Sequence, residues 1–434
     1  MITKSGWKIF KLFQLLYCLC TYLAAPFIVA HLIKKSKRNP QYKKQWNERF
    51  GYKLQSSATR EVIWFHAVSV GENMAISKLV ELIVNTYPNY QLLMTCSTPT
   101  GRVTISKKYP HAILSYLPYD LPHSVKAFLK TFKPKIGIIV ETEIWPNLLY
   151  YSKKNNLPLI LVNARLSEKS FQGYRKINFL ISPILNLFTA IACQNNDSTH
   201  RFLALGYKGS ITTIENIKYD VPFEINSQIY EKYINLISKH GTNEISNAVV
   251  FSSTRPGEER LIIKQFAKLK HKNFLLIIVP RHPERFKVVE KILNENNMIY
   301  QKRSDNKPLD KSTQVFLGDS MYEMPLYYKF AKIVVACGSF NGMGGQSIIE
   351  AAQFNLPVIF GPSTYNFPKV TKDSLTVGCG IQVQNIKECF EEINNLLNNN
   401  SLYEQRKASC NDFVMRFQGG SQQVLHLIKN LNVL

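Results

Sequence analysis

Glu72 is the residue whose position in the sequence first indicates chemistry. Residues 62–65 form a short apolar run, rich in β-branched and aromatic side chains, which predicts a buried strand. Ser69 and Glu72 follow closely, and the chain then takes on a helical pattern. Open α/β sheets bind their ligands at the carboxyl ends of the strands. Glu72 is therefore a candidate general base.

The same residues also have a purely structural interpretation. Ser69 and Glu72 fit the S-x-x-E capping box, in which two side chains satisfy orphan N–H groups at a helix start. From the tetrapeptide alone, capping is the commoner role. Both roles keep the carboxylate ionised, because the positive end of the helix dipole favours the charged form. A carboxylate held in that form suits a general base better than a general acid.

Three other polar clusters follow predicted strands in this part of the chain. They are residues 98–101 (TPTG), 141–146 (ETEIWP) and 163–167 (NARLS). Glu141 and Glu143 form a pair of carboxylates at a strand end. Each cluster alone is most simply explained by helix caps or surface charge. Together, on one edge of a sheet, they predict a cleft.

The elements that must position these residues follow a strand–turn–helix pattern, which occurs in two series. Apolar runs alternate with helical stretches, and this is typical of parallel, doubly wound sheets. The runs after residue 61 are 91–96, 113–118, 135–141, 157–163 and 189–195, and the later ones are 247–254, 274–280, 314–319, 331–338 and 356–362. Residues 215–245 are polar and weakly periodic, which predicts a linker. We expect an anchor at 1–45, domains at 46–220 and 221–434, and an active site in the crevice between the domains.

The second series contains a predicted anion site. Residues 320–323 and 347–350 repeat the S-x-x-E pattern after strands, and the second follows Gly344 and Gly345. A glycine-rich turn that leads into a helix directs N–H groups and the helix dipole at an anion such as phosphate. The acidic residue Glu350 could hold a ribose diol or only cap a helix.

Two arginines follow the predicted strand 274–280. A guanidinium group matches the geometry of a phosphate or a carboxylate. Arg281 is the better candidate because it is nearer the strand end, whereas Arg285 could equally be a solvated helix charge. His282 has no partner at the spacing of metal ligands, which favours a core or loop histidine. The chain has no G-x-G-x-x-G, Walker A, H-E-x-x-H or D-x-D motif.

Composition limits the class of protein. A chain of 434 residues with 45% hydrophobic residues is globular and long enough for two domains. The net charge of +24 favours anionic partners such as lipid, nucleic acid or phosphorylated substrates. The 8 cysteines form no C-x-x-C pair, which indicates reduced thiols in a cytosolic compartment.

An uncharged segment at 12–33 predicts a membrane anchor near the N-terminus. Gln14, Pro26 and His31 weaken this prediction, so both a spanning and an interfacial helix remain open. Residues 1–60 contain 12 Lys or Arg against 1 acid, and the larger basic cluster follows the apolar run. This pattern places the rest of the chain in the cytoplasm. Nucleic acid is disfavoured, because the charge lies beside an anchor and no recognition motif is present.

In several of these motifs the chain resembles the lipid A Kdo transferases, also called 3-deoxy-D-manno-octulosonic acid transferases. The matching stretches are HAVSVGE (66–72), STPTG (97–101), LPYDLP (117–122), ETEIWPN (141–147), NARLS (163–167), VPRHPERF (279–286), GDSM (318–321) and GPSTYNF (361–367). The resemblance implies two Rossmann-like domains of the GT-B type. It also implies inverting, metal-independent transfer of Kdo from CMP-Kdo to the 6′ hydroxyl of the lipid A precursor, at the cytoplasmic face of the inner membrane and with no cofactor.

The resemblance also implies roles for individual residues. Glu72 matches the general base, and Glu141 and Lys218 match the positions that stabilise the transition state. The stretches that match CMP-binding segments contain Pro280, Arg281, Met321, Tyr322, Glu323, Ser347, Ile348, Ile349 and Glu350.

The chain departs from the family pattern at three places. Gln346 and Ser347 replace a His-Asn pair, Arg255 and Pro256 replace His-Glu, and Glu215 replaces a glycine. These departures concern the donor contacts and leave the motifs of Glu72 and Glu141 intact. Two alternatives remain at this point. One is a GT-B transferase that uses another nucleotide sugar, and the other is a non-catalytic, membrane-anchored protein that binds anionic lipid.

Overall fold

A computed structural model describes residues 4–221, 231 and 247–434. The chain divides into two compact units, Met1–Val221 with Gln418–Leu434, and Pro222–Phe417. Most of the predicted linker, 222–230 and 232–245, lies outside the described residues.

Within the described residues, the first unit is built on a seven-stranded parallel sheet in the order β3-β2-β1-β4-β5-β6-β7. The strands are β1 Val62–His66, β2 Gln91–Cys96, β3 Ile113–Tyr116, β4 Pro134–Val140, β5 Leu159–Ala164, β6 Ala190–Cys193 and β7 Ser210–Thr213. This confirms the predicted parallel, doubly wound sheet. The sequence did not predict β7, a short polar strand at the sheet edge.

Helices cover both faces of this sheet. They are α1 Lys4–Arg38, α2 Trp46–Arg49, α3 Val70–Ala75, α4 Ser77–Thr86, α5 Pro99–Lys108, α6 Pro122–Phe132, α7 Pro146–Lys154, α8 Glu168–Lys176, α9 Asn178–Leu185 and α10 Asn196–Ala204. Two 3₁₀ turns, Pro40–Lys43 and Ile217–Asp220, complete the described part of this region. Side chains alternate across a strand. Trp64 therefore packs in one core with Phe128, and Phe65 packs in the other with Val80.

The second unit repeats this architecture. Its described residues contain a seven-stranded parallel sheet in the order β10-β11-β9-β8-β12-β13-β14. The strands are β8 Ala248–Thr254, β9 Leu275–Pro280, β10 Tyr300–Lys302, β11 Val315–Leu317, β12 Ile333–Ala336, β13 Val358–Phe360 and β14 Gly380–Gln382. The helices are α11 Glu258–Ala267, α12 Phe286–Glu295, α13 Met324–Phe330, α14 Ile349–Ala352, α15 Pro368–Val377, α16 Ile386–Asn398 and α17 Asn400–Met415. Its core is rich in aromatic and β-branched residues, with Phe251 stacked on Phe390.

The last helix, α18 Gly420–Asn430, returns to the first unit, where it packs on α4. Asp220 accepts the N–H groups of Gly419 at 2.6 Å and Ser421 at 2.5 Å, which caps the helix start. A Cβ on Gly420 would lie 2.0 Å from the Glu215 carbonyl oxygen, so this close approach requires glycine. The sequence-based boundaries had placed these residues in the second domain.

Candidate active site

The two glutamates singled out in the first unit follow adjacent strands. β1 pairs with β2 on one side and with β4 on the other, so the strand order reverses between β1 and β4. Such a reversal is a topological switch point, and the crevice at its carboxyl side is the usual ligand site of an open α/β sheet. Glu72 follows β1 and Glu141 follows β4.

Glu72 lies in the capping box that the sequence predicted. Ser69 is the extended N-cap of α3, and its Oγ accepts the N–H of Glu72 at 3.4 Å. The Glu72 carboxylate accepts the Val68 N–H at 2.5 Å and the Ser69 hydroxyl at 3.1 Å. The Glu72 side chain therefore bonds to the N–H of Val68, the residue before the N-cap, and not to the N–H of Ser69. Each carboxylate oxygen has two acceptor sites. The cap consequently fixes the carboxylate and still leaves acceptor capacity for a substrate hydroxyl.

Glu141 occupies a constrained position at the end of β4. Its φ is 64°, a left-handed conformation that is uncommon for residues other than glycine, and its N–H bonds to the Val162 carbonyl at 2.9 Å. Such backbone outliers cluster at functional sites. Partial burial and the charge of Glu72 raise the pKa of Glu141, whereas Arg165 and Lys218 lower it. These four charged groups therefore form one electrostatic cluster.

Glu143 adds a further carboxylate to this cluster. Burial and the charges of Glu72 and Glu141 raise its pKa to about 6, against a lowering by the Trp145 hydrogen bond. The Trp145 indole N–H donates to Glu143 at 2.5 Å. Glu143 therefore belongs to the same electrostatic cluster as Glu72 and Glu141.

Lys218 is positioned by its neighbours in the 3₁₀ turn Ile217–Asp220. Ile217 is fully buried, and its N–H reaches the Asn163 side chain at 3.3 Å. The Asp220 carboxylate is fixed by the hydrogen bond it accepts from the Gly419 N–H at the start of α18. The Lys218 ammonium lies 4.7 Å from the Tyr219 ring centroid. The turn packs against α3, which carries Glu72. The structure thus brings together the three predicted catalytic residues, Glu72, Glu141 and Lys218.

Arg165 was not singled out from the sequence, although its motif was. It follows β5, and its carbonyl accepts the hydroxyl of Thr142 in the loop after β4. Its charge lowers the pKa of Glu141. The available signal was an arginine directly after a buried strand in the NARLS stretch.

In the second unit, the strands on either side of the order reversal, β8 and β12, are tied together by a buried carboxylate. Glu258 is fully buried and accepts the N–H groups of Arg255, Gly338 and Phe340 at 2.8–3.1 Å. Burial raises the pKa of Glu258, and these hydrogen bonds oppose the rise. This brace shapes the carboxyl edge where the predicted donor residues lie.

The two arginines after β9 have different environments. Arg281 is exposed at the edge, and its backbone N–H bonds to the Thr254 carbonyl at 3.1 Å. Arg285 is paired with the fully buried Glu259 at 3.2 Å. The interpretation of Arg285 as a solvated charge is therefore wrong. Arg281 is the arginine of this pair that is available to a ligand.

The two S-x-x-E patterns of this unit are not capping boxes, which corrects the sequence prediction. α13 begins at Met324, after the pattern, and Glu323 instead pairs with the buried Arg303 at 2.9 Å. The Ser320 hydroxyl bonds to the Tyr327 hydroxyl at 2.7 Å. Met321 and Tyr322 are exposed, and Tyr322 has a φ of 65°.

The second pattern overlaps the start of a helix of four residues, Ile349–Ala352, whose N-cap Ile348 makes no side-chain cap bond. The Ser347 hydroxyl is buried, and none of the described residues forms a hydrogen bond with it. Ile348 and Ile349 are buried core residues, so their side chains do not face a ligand. Gly344 and Gly345 both have positive φ, near 80°, and form the predicted tight turn. Glu350 and Arg281 lie close enough to the buried Tyr328 to shift its pKa in opposite directions, although burial dominates its rise.

Two departures from the family pattern are neighbours in space. A Cβ on Gly338 would lie 3.5 Å from the Gln346 side-chain nitrogen and 3.6 Å from Arg255 Cγ. Arg255 donates to His282 Nε2 at 2.7 Å. His282 is thus a loop histidine, as predicted, held by an arginine. Among the described residues, no three His, Cys, Asp or Glu are grouped to hold a metal ion.

Comparison with known proteins gives two family matches. The profile described as 3-deoxy-D-manno-octulosonic-acid transferase (kdotransferase) matches residues 44–221, and the one described as glycosyl transferases group 1 matches residues 238–410. The 3-deoxy-D-manno-octulosonic acid transferase of Haemophilus influenzae is 33% identical, covering 98% of each chain. That of Rickettsia felis is 32% identical over 86% of this chain and 79% of the relative.

Two solved structures share the fold. A glycosyltransferase from Rickettsia africae is 14% identical with a TM-score of 0.58, over 86% of this chain and 99% of the other. The UDP-GlcNAc 2-epimerase of Neisseria meningitidis is 15% identical with a TM-score of 0.57, over 86% and 100%. Because the two carry out different reactions, the fold alone does not determine the function.

Proposed function

This chain belongs to the 3-deoxy-D-manno-octulosonic acid (Kdo) transferase family of glycosyltransferases, and we propose that it transfers Kdo from CMP-Kdo to the 6′ hydroxyl of the disaccharide lipid A precursor. The reaction belongs to lipopolysaccharide synthesis and inverts the anomeric carbon. The observation that carries this proposal is the placement of Glu72, Glu141 and Lys218 at the switch point of the first sheet.

The chemistry follows from that arrangement. The acceptor hydroxyl attacks the anomeric carbon of Kdo, and the bond from that carbon to the phosphate oxygen of CMP breaks. Glu72 accepts the hydroxyl proton, and CMP leaves with the bonding electrons. The cap contacts from Val68 and Ser69 fix the carboxylate, and a fixed base needs no reorganisation during the reaction. Glu141 and Lys218 stabilise the charge that develops in the transition state.

The donor is assigned to the second unit. Arg281 is exposed after β9, and within the described part of the chain the buried Ser347 hydroxyl has no hydrogen-bond partner. We assign the phosphate of CMP-Kdo to Arg281 and a further polar contact to Ser347. Pro280, Met321, Tyr322, Glu323 and Glu350 complete the assigned CMP-binding segments, with Glu323 held by Arg303.

The assay is transfer from CMP-Kdo to a tetraacylated lipid A precursor, followed by mass spectrometry of the product. A mass gain of one or more Kdo units, with the linkage at the 6′ position, is the expected result. Transfer from another nucleotide sugar and not from CMP-Kdo would contradict the donor assignment.

Arg281→Ala should raise the KM for CMP-Kdo by about 10–100-fold, because it removes a charge-assisted bond worth about 1.5–3 kcal/mol. The KM for the acceptor should change much less. The exposed Lys287 on α12 supplies a matched control, and Lys287→Ala should leave both constants unchanged. An unaltered donor KM in Arg281→Ala would show that Arg281 is only a surface charge.

We also propose that the transfer needs no metal cofactor. Treatment with EDTA should leave the initial rate within about twofold of the untreated enzyme, since the charge stabilisation is assigned to Lys218 and Arg281. The check is a rate measurement after chelation, with and without added Mg²⁺. A loss of activity that Mg²⁺ restores would contradict this part of the proposal.

We assign the enzyme to the cytoplasmic face of the inner membrane. The proposed lipid acceptor is anionic. α1 contains an apolar stretch at Leu12–Lys37 that is long enough to cross a bilayer. The exposed Lys34, Lys35 and Lys37 lie at the end of that helix. Each such charge near anionic lipid contributes about 1 kcal/mol to membrane affinity.

A further inference from the structure

The inner face of α1 is bound to the first unit through buried polar groups. The Gln14 amide donates to the Asn147 side chain at 2.6 Å, and the Tyr17 hydroxyl donates to Asp120 at 3.0 Å. Gln14, Asn147 and Asp120 are 5%, 0% and 8% exposed. Polar groups at this depth require partners, and α1 supplies partners to both Asn147 and Asp120.

The acceptors on the body of the unit are fixed independently of α1. Asp120 accepts the N–H groups of Asn147 at 2.9 Å and Leu148 at 2.8 Å, and so caps the start of α7. The Asn147 amide in turn donates to the Asp120 carbonyl at 2.6 Å. The site that receives Gln14 and Tyr17 is therefore preorganised by residues of the catalytic unit. We refer to Gln14, Tyr17, Asp120 and Asn147 as the polar latch.

Contacts continue along α1 on both sides of the latch. Phe10 is buried in the core of the unit, and Tyr22 stacks on His123 with ring centroids 5.7 Å apart. Leu32 and Ser36 are 1% and 4% exposed near the other end of the helix. The helix also contacts the 3₁₀ turn Pro40–Lys43, α7 and α9. α1 is therefore held to its unit from Phe10 to Tyr22.

The outer face of α1 is an exposed apolar stripe. Leu12, Leu16, Leu19, Leu23 and Phe27 are 54–77% exposed. Their spacing of three or four residues places them on one side of the helix. We refer to these five residues as the apolar stripe. Exposed apolar patches of this extent mark interaction surfaces.

The charges near the stripe identify its partner. The exposed Lys34, Lys35 and Lys37 continue α1, and Lys43 and Lys44 follow it. Phe179 is also exposed, and it lies on α9, which α1 contacts. An apolar helix face bordered by lysines fits an anionic bilayer surface, in which such a helix lies parallel to the membrane.

We propose that α1 is an interfacial anchor, which stays latched to the first unit and inserts the apolar stripe into one leaflet without crossing the bilayer. A spanning α1 would have to leave the body, and would then expose the latch and carry Gln14 into the membrane, where unpaired polar groups are costly. This inference deepens the membrane assignment made under the proposed function.

The first test concerns topology. The full chain carries an N-terminal epitope tag, and protease is added to intact spheroplasts. An interfacial α1 keeps the tag inside, so it should be cleaved only after lysis. Cleavage in intact spheroplasts would overturn the proposal, because the tag would then lie on the far side of the membrane.

The second test concerns docking. Cysteines replace Tyr22 and His123, whose side chains touch, in a chain with Cys18 and Cys20 changed to serine. A short bis-maleimide should link the two within membrane-bound protein. In the control, cysteines replace Phe27, on the apolar stripe, and His123, and the reagent should not link this pair. Failure of the first pair to link in membranes would show that α1 has left the body.

The third test concerns the stripe, with purified protein and vesicles of phosphatidylglycerol and phosphatidylethanolamine. Leu16→Glu with Leu23→Glu should weaken vesicle binding by tenfold or more. The control, Val103→Glu with Leu203→Glu, changes two exposed apolar residues elsewhere on the unit and should bind normally. Equal binding by both variants would overturn the role of the stripe. Vesicle binding is measured by flotation, which requires no transfer activity. A failure of this test is therefore distinguishable from a failure of the proposed reaction.

Discussion

Replacing Glu72 with glutamine should lower kcat by about 10²–10⁴ while the free energy of unfolding changes by less than about 1 kcal/mol. Glutamine can keep both cap contacts, because its carbonyl can accept the Val68 N–H and its amide can donate to Ser69. It cannot accept the proton of the attacking hydroxyl. The measurement is kcat together with the melting temperature.

Ser69→Ala is the complementary variant. It removes the hydroxyl that accepts the Glu72 N–H and donates to the Glu72 carboxylate, but leaves the base in place. We expect a stability loss of about 1 kcal/mol and a smaller loss of turnover than in Glu72→Gln. Near wild-type turnover in Glu72→Gln would mean that Glu72 is only a cap. Glu141 would then be the first residue to test as the base.

The second large effect is expected at Lys218. Lys218→Met should lower kcat by about 10²–10³, the usual cost of removing one preorganised group that stabilises developing charge. Lys218→Arg keeps the charge and should recover part of the rate. The exposed Lys208 lies in the same unit and supplies a control, since Lys208→Met should keep the wild-type rate.

The pH profile of Lys218→Met provides a second readout. The Lys218 charge lowers the pKa of Glu141, which burial and Glu72 raise. Without Lys218 the pKa of Glu141 rises further. If Glu141 must be ionised in the reaction, the acidic limb of the profile moves to higher pH. A wild-type rate and an unshifted profile in this variant would contradict the assignment of Lys218.

Several features of the site could be predicted because they depend on neighbours in the sequence. The run at 62–65 became β1, and Ser69 and Glu72 cap the start of α3, since a capping box needs only four consecutive residues. The Glu72 carboxylate accepts the Val68 N–H in place of the Ser69 N–H. The apolar runs predicted the parallel strands on which both units are built. The matching motifs identified the family that the comparisons support.

Other features depend on residues far apart in the chain, and the sequence could not show them. The pattern at 320–323 resembles the Ser69–Glu72 box. Glu323 instead forms an ion pair with Arg303, and the helix begins after the pattern, at Met324. The sequence left open whether Arg285 binds an anion or is a solvated charge, and the fold pairs it with buried Glu259. A local pattern states what a side chain can bond to, and the competing partners come only with the tertiary structure.

The same distinction applies at the two ends of the chain. The sequence by itself determined that the segment at 12–33 is apolar and is followed by a basic cluster. Only the tertiary structure decided that Gln14 and Tyr17 meet Asn147 and Asp120, and that α18 covers the first sheet. Hydrophobic burial has no direction of its own, so the choice of surface rests on specific buried hydrogen bonds between distant residues.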